Sequence, residues 1–580
     1  MSKNLKNVVK ALKKAGFGGV SAQEWRKSIV LSGQVKTWED KIKAGYAAAR
    51  KGYKGVVNDI EVPGSVTDAM SVPQVRDKAL EGRHFDVVVI GGGVTGCAII
   101  RELARFDLKV ALLEKEEDVA RHASSRNDGM IHDGFAASPG TKKAHYNVRG
   151  NAAYTQVCKE LGVDFKRPGS MILFGHPLYR LAVPILIARA RKNGLSEYRF
   201  VSQTQVNAMV PNVVPKHFGG FFLPSAGILS PFKLTIAFAE NAVTNGAQVF
   251  FHTVVSGFDR EHGKIIKIKT NRGDLSAGIV VNAAGIWSDK IAAHADDRFF
   301  SLHGRKGVDA ILDLKTGQYQ PIIMAMPPLV GGNKHTKGGG LITTPEGNLL
   351  VGPNAYETPF REEYSTRPED IEQIMVHLHL NTKLSKADII TYFAGIRACT
   401  YEEDFVIEAS ETVENLVHVA GIQSPGLASA PAIAEDVAGI VTGLLKKKMD
   451  VKRNERFNPV RKANPELKGL DLKTRAELIR KNPAYGRIVC RCEEISEGEV
   501  IDALHSPVPA TTLDGLKRRA RVGAGRCQGG FCTPRVLEIM SKEMDVSMLE
   551  IKKKGENSEI LLEETKGHVD YSNKKIKKTA

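Results

Sequence analysis

The chain has 580 residues, 42% hydrophobic and 25% charged, with a formal net charge of +17. That length exceeds what one core fills, so three or four folding units are expected, and the balanced composition excludes a fibrous or disordered protein. Lys and Arg alternate with Asp and Glu instead of forming blocks, which argues against nucleic acid as a partner and leaves small anionic ligands.

Residues 1–82 read as a basic N-terminal extension. Leu5, Val8, Val9 and Leu12 recur at helical spacing among Lys3, Lys6, Lys10, Lys13 and Lys14, which predicts a short amphipathic helix. Such a helix can make peripheral membrane contact, dock on another protein or pack on its own. The last is favoured, because four apolar residues bury little area. No stretch approaches 18 uninterrupted apolar residues, and no apolar segment with a cleavage site opens the chain. The expected location is cytoplasmic, with a peripheral membrane position as the alternative.

From 84 to 445 apolar β-rich runs alternate with helical segments, the pattern of an α/β fold. Phe85–Ile90 is a buried-strand run feeding Gly91-Gly92-Gly93-Val94-Thr95-Gly96 and then a helical stretch. Gly91 permits the tight turn, Gly93 lets the backbone approach a pyrophosphate, and Gly96 lets helix and strand pack closely. A second strand ends in Glu114, 23 residues after the first glycine, where an acid accepts from ribose hydroxyls and repels a 2′-phosphate. This unit binds a dinucleotide without distinguishing NAD from FAD.

Three later segments carry a resemblance that makes the distinction. Ala123–Gly134, Val280–Ser288 and Gly421–Leu427 resemble, in order, the flavin motifs of the glycine/D-amino-acid oxidase superfamily. The resemblance implies FAD, with Ser125 and Asn127 at the pyrophosphate, Val255 touching adenine through its backbone, Ala284-Gly285 closing over the cofactor, and Gly421 and Gly426 by the isoalloxazine ring. It implies a Rossmann-type FAD-binding domain over 84–169, 226–295 and 395–445. An interleaved α+β substrate domain fills 170–225 and 296–394, which are richer in aromatics, Pro and Gly.

Members of this superfamily oxidise a carbon bearing a hydroxyl or an amine. The chain is closest in pattern to the large subunit of anaerobic glycerol-3-phosphate dehydrogenases and to L-2-hydroxyglutarate dehydrogenases. Phe393–Arg397 resembles their substrate loop, so Arg397 is the candidate clamp for a phosphate or carboxylate; an ordinary structural salt bridge is the alternative. His132 is a candidate proton acceptor for the hydroxyl, or else a structural histidine. Arg305 and Lys306 fall where the family carries substrate-facing residues. Gln423–Leu427 lacks the lysine of typical glycerol-3-phosphate enzymes and resembles the hydroxyglutarate branch. Glycerol 3-phosphate therefore ranks first, a 2-hydroxy acid second, and an amine third.

Beyond a linker at 446–485, Cys490-Arg491-Cys492 is followed by Cys527 and Cys532 in a CxC…CxxxxC pattern. Four thiolates suit a [2Fe-2S] cluster, and by spacing alone zinc is the runner-up. Residues 486–545 resemble the bacterioferritin-associated-ferredoxin type of [2Fe-2S] domain, which implies the cluster. Ser496 with Glu499, Thr511 or Thr512, and Thr533-Pro534 predict three helix starts. Arg491, Arg518, Arg519, Arg521 and Arg526 add positive charge, and residues 546–580 form a basic, disordered tail. The predicted whole is an α/β flavoprotein with a small helical [2Fe-2S] domain, passing electrons from an anionic substrate to an acceptor protein or partner subunit.

Overall fold

The computed structural model describes residues 1–327 and 338–564. Two compact units emerge: residues 1–463 with 525–528, and the remainder from 464 onward.

In the first unit the FAD-type sheet has six strands in the order Gln248–Phe250, Val110–Leu113, His84–Ile90, Ser276–Asn282, Leu416–Ala420 and Val406–Ala409. All neighbours are parallel except the last pair. Val87, Val88 and Val89 are fully buried, as expected for a central parallel strand covered on both faces. The helix Val94–Leu103 packs against Pro231–Thr244 and Gly426–Leu445, and the latter also against Lys142–Leu161. Gly426–Leu445 is long and apolar enough to cross a membrane by length and composition. More than half of it is buried by these helices, which accounts for its apolarity.

The second sheet has nine strands. Its path is Tyr356–Thr358, Leu302–Leu312, Leu349–Gly352, Gly340–Thr343, Ile323–Ala325, Ser170–Leu173, Gly220–Leu223 and Arg199–Val201, with Ile389–Thr400 also paired to Leu302–Leu312. That long antiparallel pair runs from Ile389 to Thr400 and sets Arg305 opposite Arg397. The boundary expected at 394/395 therefore falls inside a strand, and the substrate sheet extends to Thr400, because its ladder continues there. The core beneath this sheet is built from Met171, Leu173, Val308, Met324, Leu341 and Val351 with neighbours.

Residues 1–82 are a small α/β module rather than a detached extension. The helix Lys3–Lys14 buries Val8 and Leu12 against a three-stranded sheet and the helix Trp38–Ala48, with Tyr401 in the same cluster. Half of its apolar stripe is thus covered within the chain, Leu5 and Val9 staying partly exposed; each fully buried aliphatic side chain contributes about 1.5–3 kcal/mol. The module is tied down by Ser301 N–H donating to the Val56 carbonyl (2.9 Å), Asn58 N–H to Ser301 Oγ (2.9 Å) and an Arg26–Asp297 ion pair (3.1 Å).

The expected linker divides at Ala463. Residues 450–461 are strapped onto the first unit: Asn458 accepts at its carbonyl from Asn241 (3.1 Å), and Arg461 donates to Glu240 and to the Leu161 carbonyl (3.0 Å). From Asn464 the chain belongs to the second unit, where Leu467 N–H donates to Glu499 (3.2 Å). There the helices Glu497–Leu504, Leu513–Ala520 and Thr533–Met544 enclose Val500, Leu516 and Met540. Ser496 and Glu499 form the expected capping box, and Thr512 rather than Thr511 caps the second helix. Residues 546–564 are also folded, correcting the expected disorder: Ile551 is buried in this core, and Leu513 and Asp514 N–H groups donate to the Lys552 and Lys553 carbonyls. The rest of the tail, 565–580, lies outside the described residues.

Candidate active site

The glycine turn follows the sheet's central strand directly. Gly91 has φ +110, and a Cβ there would lie 2.4 Å from the Ala283 carbonyl; a Cβ on Gly96 would lie 2.0 Å from the Gly91 carbonyl. Only glycine fits either position, and the result is a cradle where backbone replaces side chains. The helix start at Gly93–Gly96 opens into a cleft of about 360 Å³ that also receives Asn127, His132, Gly285, Arg305, Arg397 and Gly426. The amides of this helix start and its bare glycines fit a pyrophosphate. Glu114 closes the turn by accepting from Gly92 N–H (2.6 Å) and Glu116 N–H (2.9 Å). Burial, with Glu116 beside it, pushes its carboxyl above the usual range.

The loop after the second strand orients its two adjacent serines differently. Ser124 Oγ, not Ser125, accepts from Val94 N–H at the helix start (2.8 Å), while Ser125 donates to the His122 carbonyl (3.3 Å). The one-turn 3-10 helix Ala123–Ser125 sets which hydroxyl faces the glycines. Asn127 holds the loop by donating to the Ala123 and Ser124 carbonyls (2.9 and 3.2 Å). Ala284 lies behind Gly91, and Gly285 begins a single 3-10 turn with φ +57. Val255 starts a strand and is buried in the sheet's core, away from the cleft lining. Gly421, φ +66, packs on Thr400 behind the cleft, and Gly426 is the first residue of the long helix.

On the substrate side the two arginines differ. Arg305 is 2% exposed and fully engaged: Nε donates to Glu357 (2.7 Å), Nη2 to Tyr46 Oη (2.7 Å) and Glu403 (2.6 Å), and Nη1 approaches Gln423 Oε1 (3.5 Å). Two carboxylates thus balance its charge within the chain, although it lines the cleft as expected of a substrate-facing residue. Lys306 is likewise buried and paired with Glu363 (2.5 Å), outside the cleft lining. Arg397 lies against Gly307, where a Cβ would meet its Nη1 at 2.6 Å and Nη2 at 2.8 Å. Its Nη1 is buried and makes no hydrogen bond among the described residues. The same is true of Oδ1 of Asp309, another cleft residue, whose carboxyl burial pushes far above the usual range, Asp128 adding to the effect.

Three groups without a motif of their own reach the same cleft: Arg50, Lys143 and Glu403. Glu403 accepts from Tyr46 Oη (2.6 Å), Arg305, Gln423 Nε2 (2.9 Å) and Lys143 Nζ (3.3 Å). Burial opposes its charge, but Arg305 foremost, then Lys143 and Tyr46, hold its carboxyl down at about 2. Burial lowers the Lys143 ammonium, with Glu403 opposing. The weak sequence signal for this corner is the acidic run Glu402-Glu403-Asp404 a few residues after the substrate-loop motif. His132 Nε2 lies 3.4 Å from Ser424 Oγ on the flavin-side segment.

In the second unit Cys490 and Cys492 bring their sulfurs to 3.8 Å, and the Cys490 thiol is hydrogen-bonded to Cys532 and to the amides of Gly523 and Glu493. Cys490 and Cys532 are buried, whereas Cys527, in the stretch 525–528 that groups with the first unit, is exposed. Arg521 pairs with Glu493 (3.0 Å) and Arg491 stacks on Phe531 (4.9 Å), so part of the expected positive charge has local partners. Converging thiols with amide donors form a donor set suited to iron–sulfur ligation.

A family model described as FAD dependent oxidoreductase matches residues 86–440, and one described as BFD-like [2Fe-2S] binding domain matches 488–542. A glycerol 3-phosphate dehydrogenase of Caloramator mitchellensis is 39% identical over 486 residues, 84% of this chain and 100% of the relative. A glycerol 3-phosphate oxidase of Mycoplasma pneumoniae (strain ATCC 29342 / M129 / Subtype 1) is 27% identical over 376 residues, 63% of this chain and 96% of that one. Among solved structures, a dithionite-reduced L-alpha-glycerophosphate oxidase from Mycoplasma pneumoniae with FAD bound has a TM-score of 0.61 at 24% identity, covering 66% of this chain and 100% of that chain.

Proposed function

The chain belongs to the FAD dependent oxidoreductase family, and from that premise we propose that it oxidises glycerol 3-phosphate to dihydroxyacetone phosphate and passes the electrons on through its [2Fe-2S] domain. The observation that carries the substrate class is Arg397: a cleft guanidinium whose buried Nη1 has no hydrogen-bond partner among the described residues is a site prepared for an anion that arrives with the ligand. Phosphate or carboxylate satisfies it through charge-assisted hydrogen bonds. The choice of glycerol 3-phosphate follows the relatives named for that compound, one of them matched over most of this chain.

In this reading Arg397 holds the phosphate, and His132 takes the hydroxyl proton at Nε2. Gly91, Gly93 and Gly96 admit the pyrophosphate to the helix start, with Ser124 and Asn127 shaping that edge and Glu114 bracing the turn. Gly285, Gly421 and Gly426 keep the ring's surroundings clear of side chains. When bound, FAD supplies the hydride acceptor and the [2Fe-2S] cluster a one-electron outlet. Cys490, Cys492, Cys527 and Cys532 are the proposed ligands, and an acceptor protein or partner subunit in the cytoplasm, or at its membrane face, is the proposed destination.

The test is anaerobic addition of glycerol 3-phosphate to the FAD-loaded protein while visible absorbance is followed. Bleaching of the flavin and then of the cluster bands supports the proposal. Bleaching by L-2-hydroxyglutarate or by amino acids, with none by glycerol 3-phosphate, overturns it. The hydroxyglutarate outcome has its own motivation in Gln423, which occupies the flavin-side segment where no lysine is present.

A further inference from the structure

Residues 1–85 precede the part of the chain that the oxidoreductase family model matches, yet they reach the cleft. The helix Trp38–Ala48 places Tyr46 over the wall formed by Arg305, His303 and Glu403, and the residues just beyond it bring Arg50 to the cleft lining. The Tyr46 hydroxyl donates to Glu403 Oε1 at 2.6 Å, accepts from Arg305 Nη2 at 2.7 Å and stands 3.3 Å from His303 Nε2. His303 in turn bonds Glu357 (2.6 Å), the second carboxylate on Arg305. Glu403 then reaches Gln423 on the segment that leads into the long helix.

The approach is built for this contact. Tyr46 packs edge-on to both His303 and Tyr401, with ring centroids 5.6 Å apart in each case. A Cβ on Gly45 would lie 2.3 Å from the Tyr401 ring, so the helix comes as close as a glycine allows. Arg50 donates through Nε to the Glu402 carbonyl (2.9 Å) and so grips the turn that carries Glu403. Both Arg50 (φ 58) and Glu403 (φ 54) hold left-handed backbone, a conformation that non-glycine residues keep only where surrounding structure enforces it.

We propose that the N-terminal module is a working part of the substrate cleft, with Tyr46 as the positioning residue that sets Arg305 and Glu403 and, through Glu403, Gln423. Tyr46 touches neither substrate nor cofactor in this scheme. It bridges the one edge where the Arg305 guanidinium meets the Glu403 carboxylate, adding to the bonds Arg305 makes to Glu357 and Glu403 makes to Lys143 and Gln423. The proposal rests on the reading of this cleft as an anion-oxidising site, but not on which anion.

The test uses the full-length, FAD-loaded protein and the variants Tyr46→Phe, Glu403→Gln and the double variant. Tyr46→Phe keeps both ring contacts and removes only the hydroxyl, so its melting temperature and flavin content provide the folding control. Two readouts are taken: kcat and KM for glycerol 3-phosphate, and the dissociation constant of inorganic phosphate from the change it causes in flavin absorbance. Because Arg305 stands opposite Arg397 in the strand pair, the expected result is a roughly five- to twentyfold weakening of phosphate binding and a matching rise in KM for Tyr46→Phe. The double variant should be no worse than Glu403→Gln alone, because the hydroxyl acts through that carboxylate. Unchanged phosphate affinity in Tyr46→Phe overturns the proposal, as do additive effects in the double variant. Should glycerol 3-phosphate fail to reduce the unmodified protein while Tyr46→Phe still weakens phosphate binding, the substrate assignment falls and the role of Tyr46 stands.

Discussion

Replacing Arg397 by Met separates a ligand-holding arginine from a structural one by the sign of its effect on stability. In the protein without substrate, Nη1 is buried with no hydrogen-bond partner among the described residues, a situation that costs about 1–3 kcal/mol. Met is unbranched, apolar and without a donor, so Arg397→Met removes that penalty and leaves the melting temperature unchanged or raises it. The substrate loses at least one charge-assisted hydrogen bond, worth about 1.5–3 kcal/mol, so its affinity falls roughly ten- to hundredfold. Thermal unfolding monitored by circular dichroism gives the first quantity, and anaerobic titration of flavin absorbance with glycerol 3-phosphate gives the second. A variant that melts several degrees lower, with substrate affinity intact, would show that Arg397 braces the wall behind Gly307 and does not bind the anion.

Gly96→Ala sets a Cβ 2.0 Å from the Gly91 carbonyl where ordinary contact begins at 3.4 Å, and neither backbone segment can yield cheaply. Overpacking of about 1–3 kcal/mol or more should lower FAD content and melting temperature together; stoichiometric FAD in the purified variant refutes the role of this glycine. Cys532→Ser should abolish the cluster's visible bands while flavin bleaching by substrate persists, and retention of those bands removes Cys532 from the ligand set. Glu402 is half-buried with Oε1 shut off from solvent, and this burial pushes its carboxyl up to about 7, so the folded protein keeps it protonated between the ordinary carboxylate range and that pH. Its stabilising contribution is complete below the unfolded value of about 4.3 and is lost as pH rises towards 7. Glu402→Gln, which mimics the protonated form, should therefore melt higher than the unmodified protein at pH 8 and close to it at pH 4; a difference independent of pH disproves the assignment.

Features legible before folding are those written in neighbouring residues. Strand, glycine turn and helix at 85–106, the acid at Glu114, the capping box at Ser496 and the paired cysteines each depend on sterics or hydrogen bonds within a few positions. Chain-adjacent geometry follows from φ/ψ limits and side-chain reach, so local spacing is enough to read it. Even there, spacing does not separate Ser124 from Ser125, because two adjacent hydroxyls differ only in which way a 3-10 turn points them.

What the tertiary structure alone decided is which distant charges meet. Tyr46, Lys143, Arg305, Glu403 and Gln423 come from separate stretches, and their convergence depends on the register that sets Arg305 opposite Arg397 and on the docking of the N-terminal module against Tyr401. No pattern at a period of 2 or 3.6 encodes such pairings. They follow from how sheets and helices pack once formed, and that packing pairs Arg305 with Glu357 and Glu403 while the buried Nη1 of Arg397 makes no hydrogen bond among the described residues. The nucleotide end of this site was therefore determined by local sequence, and the substrate end by the fold, because one relies on backbone shape and the other on charge balance assembled across the chain.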